Sequence, residues 1–239
     1  MDFETGTIAA LRVLFSQARL GGCLFYYSQC IYRVVQEHQW VVAYRDCMEI
    51  RQFFRHIMCL PFLPVDRVRH CFEELVIFLE NERDISSYEH GDCQKTRWLE
   101  NVIEWFPSYY EETWLGSQER IEMTNVFDRE IRTNNATEDW NNKVSRYINI
   151  AHPNLYQVIK FFKDEESQSK AKLLQLEQGG NPPKRRKQYV DKDKQISEIR
   201  RSYTNGQISD SEFLEDFFGS WTRYLVNGLD RNLIDAARD

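Results

Sequence analysis

The sequence predicts a mainly α-helical protein, and three observations carry that expectation. From Val41 to Phe127 apolar residues recur at spacings of three and four almost throughout. The same period returns after Arg132 and again in the C-terminal tail. The 14% of aromatic residues suggests thick helix-to-helix contacts. At 239 residues the chain suffices for one large domain or two small ones, and 42% hydrophobic with 28% charged residues is a globular composition.

Taken in order, Thr5 to Phe15 carries Ile8, Leu11, Val13, Leu14 and Phe15, which predicts a short amphipathic helix with Asp2 at or just before its first turn. Arg19 to Phe25 is short, opened by glycines and apolar toward its end, so a strand is expected. Cys30, Ile31, Val34 and Val35 then give a helix from Tyr27 to Gln39.

The helix built on Met48, Ile50, Phe53, Phe54, Ile57, Met58 and Leu60 should stop at Pro61, whose ring clashes with a continuing turn. Leu63 and Pro64 start the next one, with Val68, Cys71, Phe72, Leu75, Val76 and Leu79 inward. Glu80 to Lys95 is polar and without period, which reads as an exposed loop. Trp98 to Trp114 is helical again, with Pro107 expected to kink or split it. Its rings at Trp98, Trp105, Phe106, Tyr109, Tyr110 and Trp114 have the chemistry to stack on unpaired bases. Beside Leu99, Val102 and Ile103, and with no basic residues between them, they read instead as core.

The stretch Arg132 to Leu155 holds the residues with chemical potential. Asn135 fits an N-cap and Glu138 follows three residues later, as in a capping box. Trp140, Val144, Tyr147 and Ile148 form one face; Glu138, Asn141, Asn142 and Ser145 share the other. A carboxylate fixed there and flanked by amides serves either as a cap or as a ligand for a hard divalent cation such as Mg2+. Pro153 suits the first turn of a long helix, whose face of Leu155, Val158, Ile159 and Phe162 fades toward Gly179. Gly179 to Gln188 reads as a flexible linker. Two tail helices follow near Lys194 to Tyr203 and Asp210 to Asn227, the second with a stripe of Phe213, Leu214, Phe217, Phe218, Trp221 and Leu225 that must be buried.

Composition excludes several classes. A net charge of −6 argues against a chain that binds nucleic acid over its whole surface, so contact with phosphates has to come from local patches. Lys184, Arg185, Arg186 and Lys187 form the strongest one, and nuclear localisation, phosphate contact and a solvated linker all fit it. The six cysteines lack any C-x-x-C pair and lie mostly in apolar periodic segments, which fits reduced thiols and no zinc site. No phosphate-cradling glycine loop and no Ser, His and Asp arrangement is present. MDFETG has neither a basic leader nor a signal core, and an intracellular protein without a membrane span is expected.

The block TNN, Glu138, Trp140 with Asn141 or Asn142, and then His152-Pro153-Asn154 resembles the closing block of Mutator-like (MULE) DNA transposases. Asp2-Phe3-Glu4, the Gly22 to Phe25 run with Gln29, and Phe53 to Leu75 resemble the preceding segments in the family's order, so the resemblance spans about Asp2 to Glu166. It implies a partial ribonuclease H-like α/β core with its first strands missing in residues 1–40, a large all-helical insertion in 41–128 and core-closing helices carrying Glu138 in 129–178; composition and period add a flexible basic linker in 179–190 and a helical tail in 191–239.

It further implies metal-dependent strand cleavage and transfer, in which Asp2 and Glu138 are the second and third carboxylates of an Asp, Asp, Glu triad holding Mg2+ or Mn2+, with Glu4 beside them. The first aspartate is expected upstream of Met1, so the chain alone should be inactive, and the family's DNA-reading module is missing too. The expected partners are DNA at the transposon ends and a second copy, in the nucleus. The family's C-x-x-H pair is broken here, since Tyr26 follows Cys23 where histidine belongs, and Cys23 receives no role. A helical nuclear interaction or DNA-binding module derived from such an element is the alternative.

Overall fold

The computed structural model describes residues 5–88, 93–132, 135–149, 153–181 and 187–217. Among them there are helices and no strand. In order these are α1 (Thr5–Leu14), α2 (Leu24–Glu37), α3 (Val41–Asp46), α4 (Met48–Cys59), a 3-10 turn (Leu60–Phe62), α5 (Val65–Tyr88), α6 (Cys93–Trp114), α7 (Gln118–Thr124), α8 (Asn135–Ile148), α9 (Leu155–Glu177) and α10 (Lys187–Thr204). A further helical stretch, α11, is described over 210–217. Two compact units result: Met1–Thr133 with Lys192–Asp239, and Asn134–Asp191 between them in sequence. No described helix is long and apolar enough to cross a membrane.

The first unit is organised by the aromatic residues that the helical period turns inward. Phe53 and Phe54 of α4 meet Phe106 of α6 edge to face at 5.5 and 4.9 Å, and Phe72 of α5 stacks on Tyr110 of α6 at 4.6 Å. All five are buried. Their hydroxyls find partners, as buried ones must: Tyr27 of α2 donates to the Ile57 carbonyl at 2.8 Å, and its oxygen lies 2.7 Å from the Tyr110 hydroxyl. Desolvation, first of all, pushes the pKa of Tyr27 well above the ordinary tyrosine value, so this pair stays neutral. The turn between α4 and α5 is pinned by the buried Asn125, whose amide donates to the Leu63 carbonyl at 2.6 Å, while the Val126 amide donates to Pro61 at 2.8 Å.

The expected strand over Arg19 to Phe25 does not form, and with it the ribonuclease H-like sheet has no counterpart among the described residues. Leu24 and Phe25 already belong to α2, and residues 19–23 are irregular. A short apolar run cannot be told from a helix start by period alone. The irregular segment is held by single bonds, Gly22 N–H to Met123 O at 2.8 Å and Leu24 N–H to Arg132 O at 3.0 Å. The Arg129 guanidinium adds bonds to the Leu20, Glu122 and Met123 carbonyls.

Three other expectations are corrected. Residues 80–88 are not loop but the end of α5, closed against the start of α6 by Ser86 and Thr96 at 3.0 Å, while Lys95 of α6 reaches Glu49 of α4 at 2.7 Å. Pro107 does not split α6. The cost of about 3 kcal/mol for an interior proline is outweighed by the buried Val102, Phe106 and Tyr110 on either side of it. Pro153 precedes the N-cap of α9 instead of occupying its first turn; Asn154 is the cap.

The tail helices return to the first unit. Phe213, Leu214 and Phe217 are buried, with Phe217 against Phe62 at 4.4 Å and Phe213 against Tyr203 at 4.7 Å. Phe218, Trp221 and Leu225 lie outside the described residues.

Helix α2 ends in a Schellman turn, with Trp40 N–H on Val35 O at 2.8 Å and Gln39 N–H on Gln36 O at 3.0 Å. The turn forces Gln39 to φ +58°, where its Cβ is crowded. Helix α9 ends in the same turn but uses Gly179 at φ +86°. Gln39→Gly is therefore expected to stabilise the chain by about 0.5–1 kcal/mol, read as a higher urea midpoint. A lower midpoint would mean that the Gln39 side chain contributes more than its backbone strain costs.

Candidate functional site

The second unit contains the residue that the sequence singles out most strongly. α8 and α9 pack through rings: Trp140 and Tyr147 lie 6.1 and 5.1 Å from Phe161, the buried residue of α9. Tyr147 donates to Asp164 at 2.6 Å and Lys143 pairs with Glu165. The start of α9 is fixed by a capping box in which Gln157 N–H donates to the Asn154 side chain at 2.9 Å and Asn154 N–H donates back to Gln157 at 3.0 Å.

Glu138 stands in the first turn of α8 and is half-buried. Asn141, Asn142 and Ser145 are exposed. Asn135 opens α8 as its first helical residue, and its side chain lies outside the described residues. Asp2, Glu4 and His152 lie outside them as well, as do Lys184, Arg185 and Arg186; Lys187 is exposed at the start of α10. The pairing of Asp2 with Glu138 and the basic cluster as a whole are thus expectations of the sequence alone. Cys23 is buried at the start of α2.

A two-metal centre needs several carboxylates converging on ions a few ångströms apart. Among the described residues Glu138 belongs to no such group. The depression beside it, about 380 Å3, is lined by Asp139, Asn142, Lys143, Arg146 and Tyr147. The described residues around Glu138 do not assemble the donor set that Mg2+ or Mn2+ would require.

One group of three candidate ligand atoms does converge, Cys71 Sγ with carboxylate oxygens of Glu74 and Asp210, all within 4.8 Å. Asp210 is already engaged. Its carboxylate accepts from Arg67 Nε at 2.9 Å and from Arg67 Nη2, from the Tyr203 hydroxyl and from Cys71 Sγ–H at 3.3 Å. Burial pushes the Cys71 thiol far up, and Asp210 raises it further, so the sulfur is a protonated donor. With a guanidinium as counter-ion this cluster is a structural hub that docks the tail, and sequence reasoning missed it. The local signal was present in Ser209 to Glu212, whose capping box forms through Glu212 accepting from Ser209 N–H at 2.8 Å.

The aromatic face of α6 divides as its period dictates. Phe106, Tyr110 and Trp114 are core, and Trp105 is 38% exposed at the rim of a groove of about 960 Å3. The groove is lined by His38, Trp40, Arg97, Trp98 and Glu104 among others. The rings of His38 and Trp105 lie 3.7 Å apart and Trp105 stacks on Tyr109 at 5.0 Å. These faces are occupied by each other, and Arg97 is offset by Glu104, so among the described residues the groove shows no basic funnel of the kind that single-stranded nucleic acid requires. No family model, curated protein or solved structure matches the chain.

Proposed function

We propose that the chain is the C-terminal part of the catalytic region of a Mutator-like DNA transposase and that alone it does not cut DNA. The observation that carries this reading is the position of Glu138, in the first turn of a helix that opens a separate unit and follows the helical stretch α3 to α7 in the chain. The resemblance implies that order of parts: insertion first, then the closing carboxylate. Among the described residues Glu138 stands in no converging group, and a single half-buried carboxylate cannot hold two ions and activate a nucleophile. The task of Glu138 in the intact enzyme is to supply one carboxylate at a fixed point of a rigid helix.

The alternative, a transposase-derived helical module that binds a nuclear partner or DNA without catalysis, is favoured by one observation, the absence of a converging carboxylate set around Glu138 among the described residues. The two readings separate by titration with Mn2+ and by complementation. On the first, the chain binds Mn2+ weakly, Glu138→Ala and Asp2→Ala each abolish that binding, and adding the upstream segment of a family transposase yields DNA cleavage that Glu138→Ala removes. An unchanged Mn2+ titration in Glu138→Ala would leave Glu138 a helix-start residue and establish the second reading.

A further inference from the structure

Helix α9 has more apolar surface than α8 covers. Every contact between α8 and α9 side chains named above falls at or before Glu165, and residues 166–177 are exposed throughout. A helix gains most of its stability in water from packing an apolar face, so this bare half requires a cover. Most of the exposed apolar residues share one line, with Tyr156 and Leu174 off it. Ile159, Phe162, Leu173 and Leu176, between 44 and 59% exposed, follow one line of alternating three- and four-residue spacing, and Glu166 and Ser169 fill the two places between them. This is a heptad seam with a polar centre.

The order of residues along the seam selects its occupant. Laid antiparallel on a second copy of itself, Ile159 meets Leu176, Phe162 meets Leu173, and Glu166 meets Ser169, each pair occurring twice by the two-fold symmetry. Apolar groups face apolar groups, and a serine hydroxyl donates to a carboxylate that is already partnered by Lys170 at 2.7 Å in its own chain. A parallel pair would instead oppose Glu166 to Glu166 inside the seam, with like charges in contact. The bare C-terminal half of each α9 would then cover the N-terminal half of the other, beside Trp140, whose ring lies 6.1 Å from Phe162. We propose that α9 is a self-association helix and that the chain forms an antiparallel dimer through Ile159, Phe162, Glu166, Ser169, Leu173 and Leu176. This inference does not depend on the transposase reading.

Sedimentation velocity on the full chain tests it, over a range from about 1 to 100 μM. A monomer–dimer equilibrium is expected, with Leu173→Glu raising the dissociation constant at least a hundredfold, since a carboxylate replaces a leucine in the seam. Leu174→Glu, one residue away and off the seam, should leave the equilibrium unchanged. Both sites are exposed, so neither substitution disturbs folding, and retained helical circular dichroism verifies this. Orientation is read in a Cys93→Ser background: chains with Phe162→Cys and with Leu173→Cys should form a disulfide with each other and not with themselves. A monomer at all concentrations would overturn the proposal. Dimerisation insensitive to Leu173→Glu, or a disulfide between two Phe162→Cys chains, would overturn it equally.

Discussion

Replacing Phe106 with alanine is expected to remove about 3–5 kcal/mol of stability. The ring is fully buried and meets Phe53, Phe54 and Tyr110 within 5.7 Å, between helices α4 and α6. Its loss removes apolar burial and leaves a cavity among rings held by their own backbones, so little collapse is available. Since a domain is stable by only about 5–15 kcal/mol, the variant should be near its unfolding limit at 37 °C. Urea denaturation gives the measure: the midpoint falls while the slope stays constant. Trp105→Ala is the comparison, one residue earlier on the same helix but partly in solvent, and should cost clearly less. A loss below about 1 kcal/mol for Phe106→Ala would show that α4 and α6 close up on the space, contrary to the packing described.

Asp210→Ala should cost about 2–3 kcal/mol near neutral pH, because Arg67, Tyr203 and Cys71 all lose one charged acceptor. Arg67 is partly exposed and can turn to water, which keeps the cost below that of breaking a fully buried pair. The pH dependence identifies the cause. Burial raises the Asp210 pKa, but the hydrogen bonds from Arg67, Tyr203 and Cys71 outweigh it, and the folded value lies below the ordinary 3.8. A depressed carboxyl contributes its full stabilisation above the unfolded pKa and loses it as pH falls through the folded one. The gap between wild type and Asp210→Ala should therefore be constant from about pH 5 upward and shrink below pH 4. A gap that persists at low pH would attribute the effect to packing in place of charge. Urea midpoints at pH 7, 5 and 3 decide it.

Much of the helical architecture was legible because a 3.6-residue period is a local property. Ile50, Phe53, Phe54 and Ile57 announce their helix and its buried face without reference to anything else in the chain. What stayed hidden depends on partners distant in sequence. The segment at Arg19 to Cys23 is irregular because Arg129, Met123 and Arg132 hold it, and its own residues say nothing of them. Residues 80–88 lack a clear apolar period yet are helical, since Glu49 and Thr96 secure the hairpin from other helices. The same division runs through the site. Glu138 could be placed in a first helical turn from its neighbours alone, whereas the convergence of carboxylates is a long-range relation that no spacing encodes. Asp210 was passed over as part of a tail because its partners, Arg67 and Cys71, belong to α5.

The return of the tail to the first unit makes the second unit an interruption in the chain of the first. The core around Phe62 is completed by Phe213 and Phe217, and Arg132 meets Asp193 across the point where the interrupting segment leaves and rejoins. During synthesis the first 133 residues emerge with part of that core uncovered, and it closes only after the whole of Asn134–Asp191 has been made. The entropy of closing so long a segment grows only with the logarithm of its length, so the interruption is tolerated at small cost. A ribosome that stops before Lys192 releases a chain with exposed rings, whereas a protease that cuts between α8 and α9 releases two pieces that remain bound to each other through helices far from the cut.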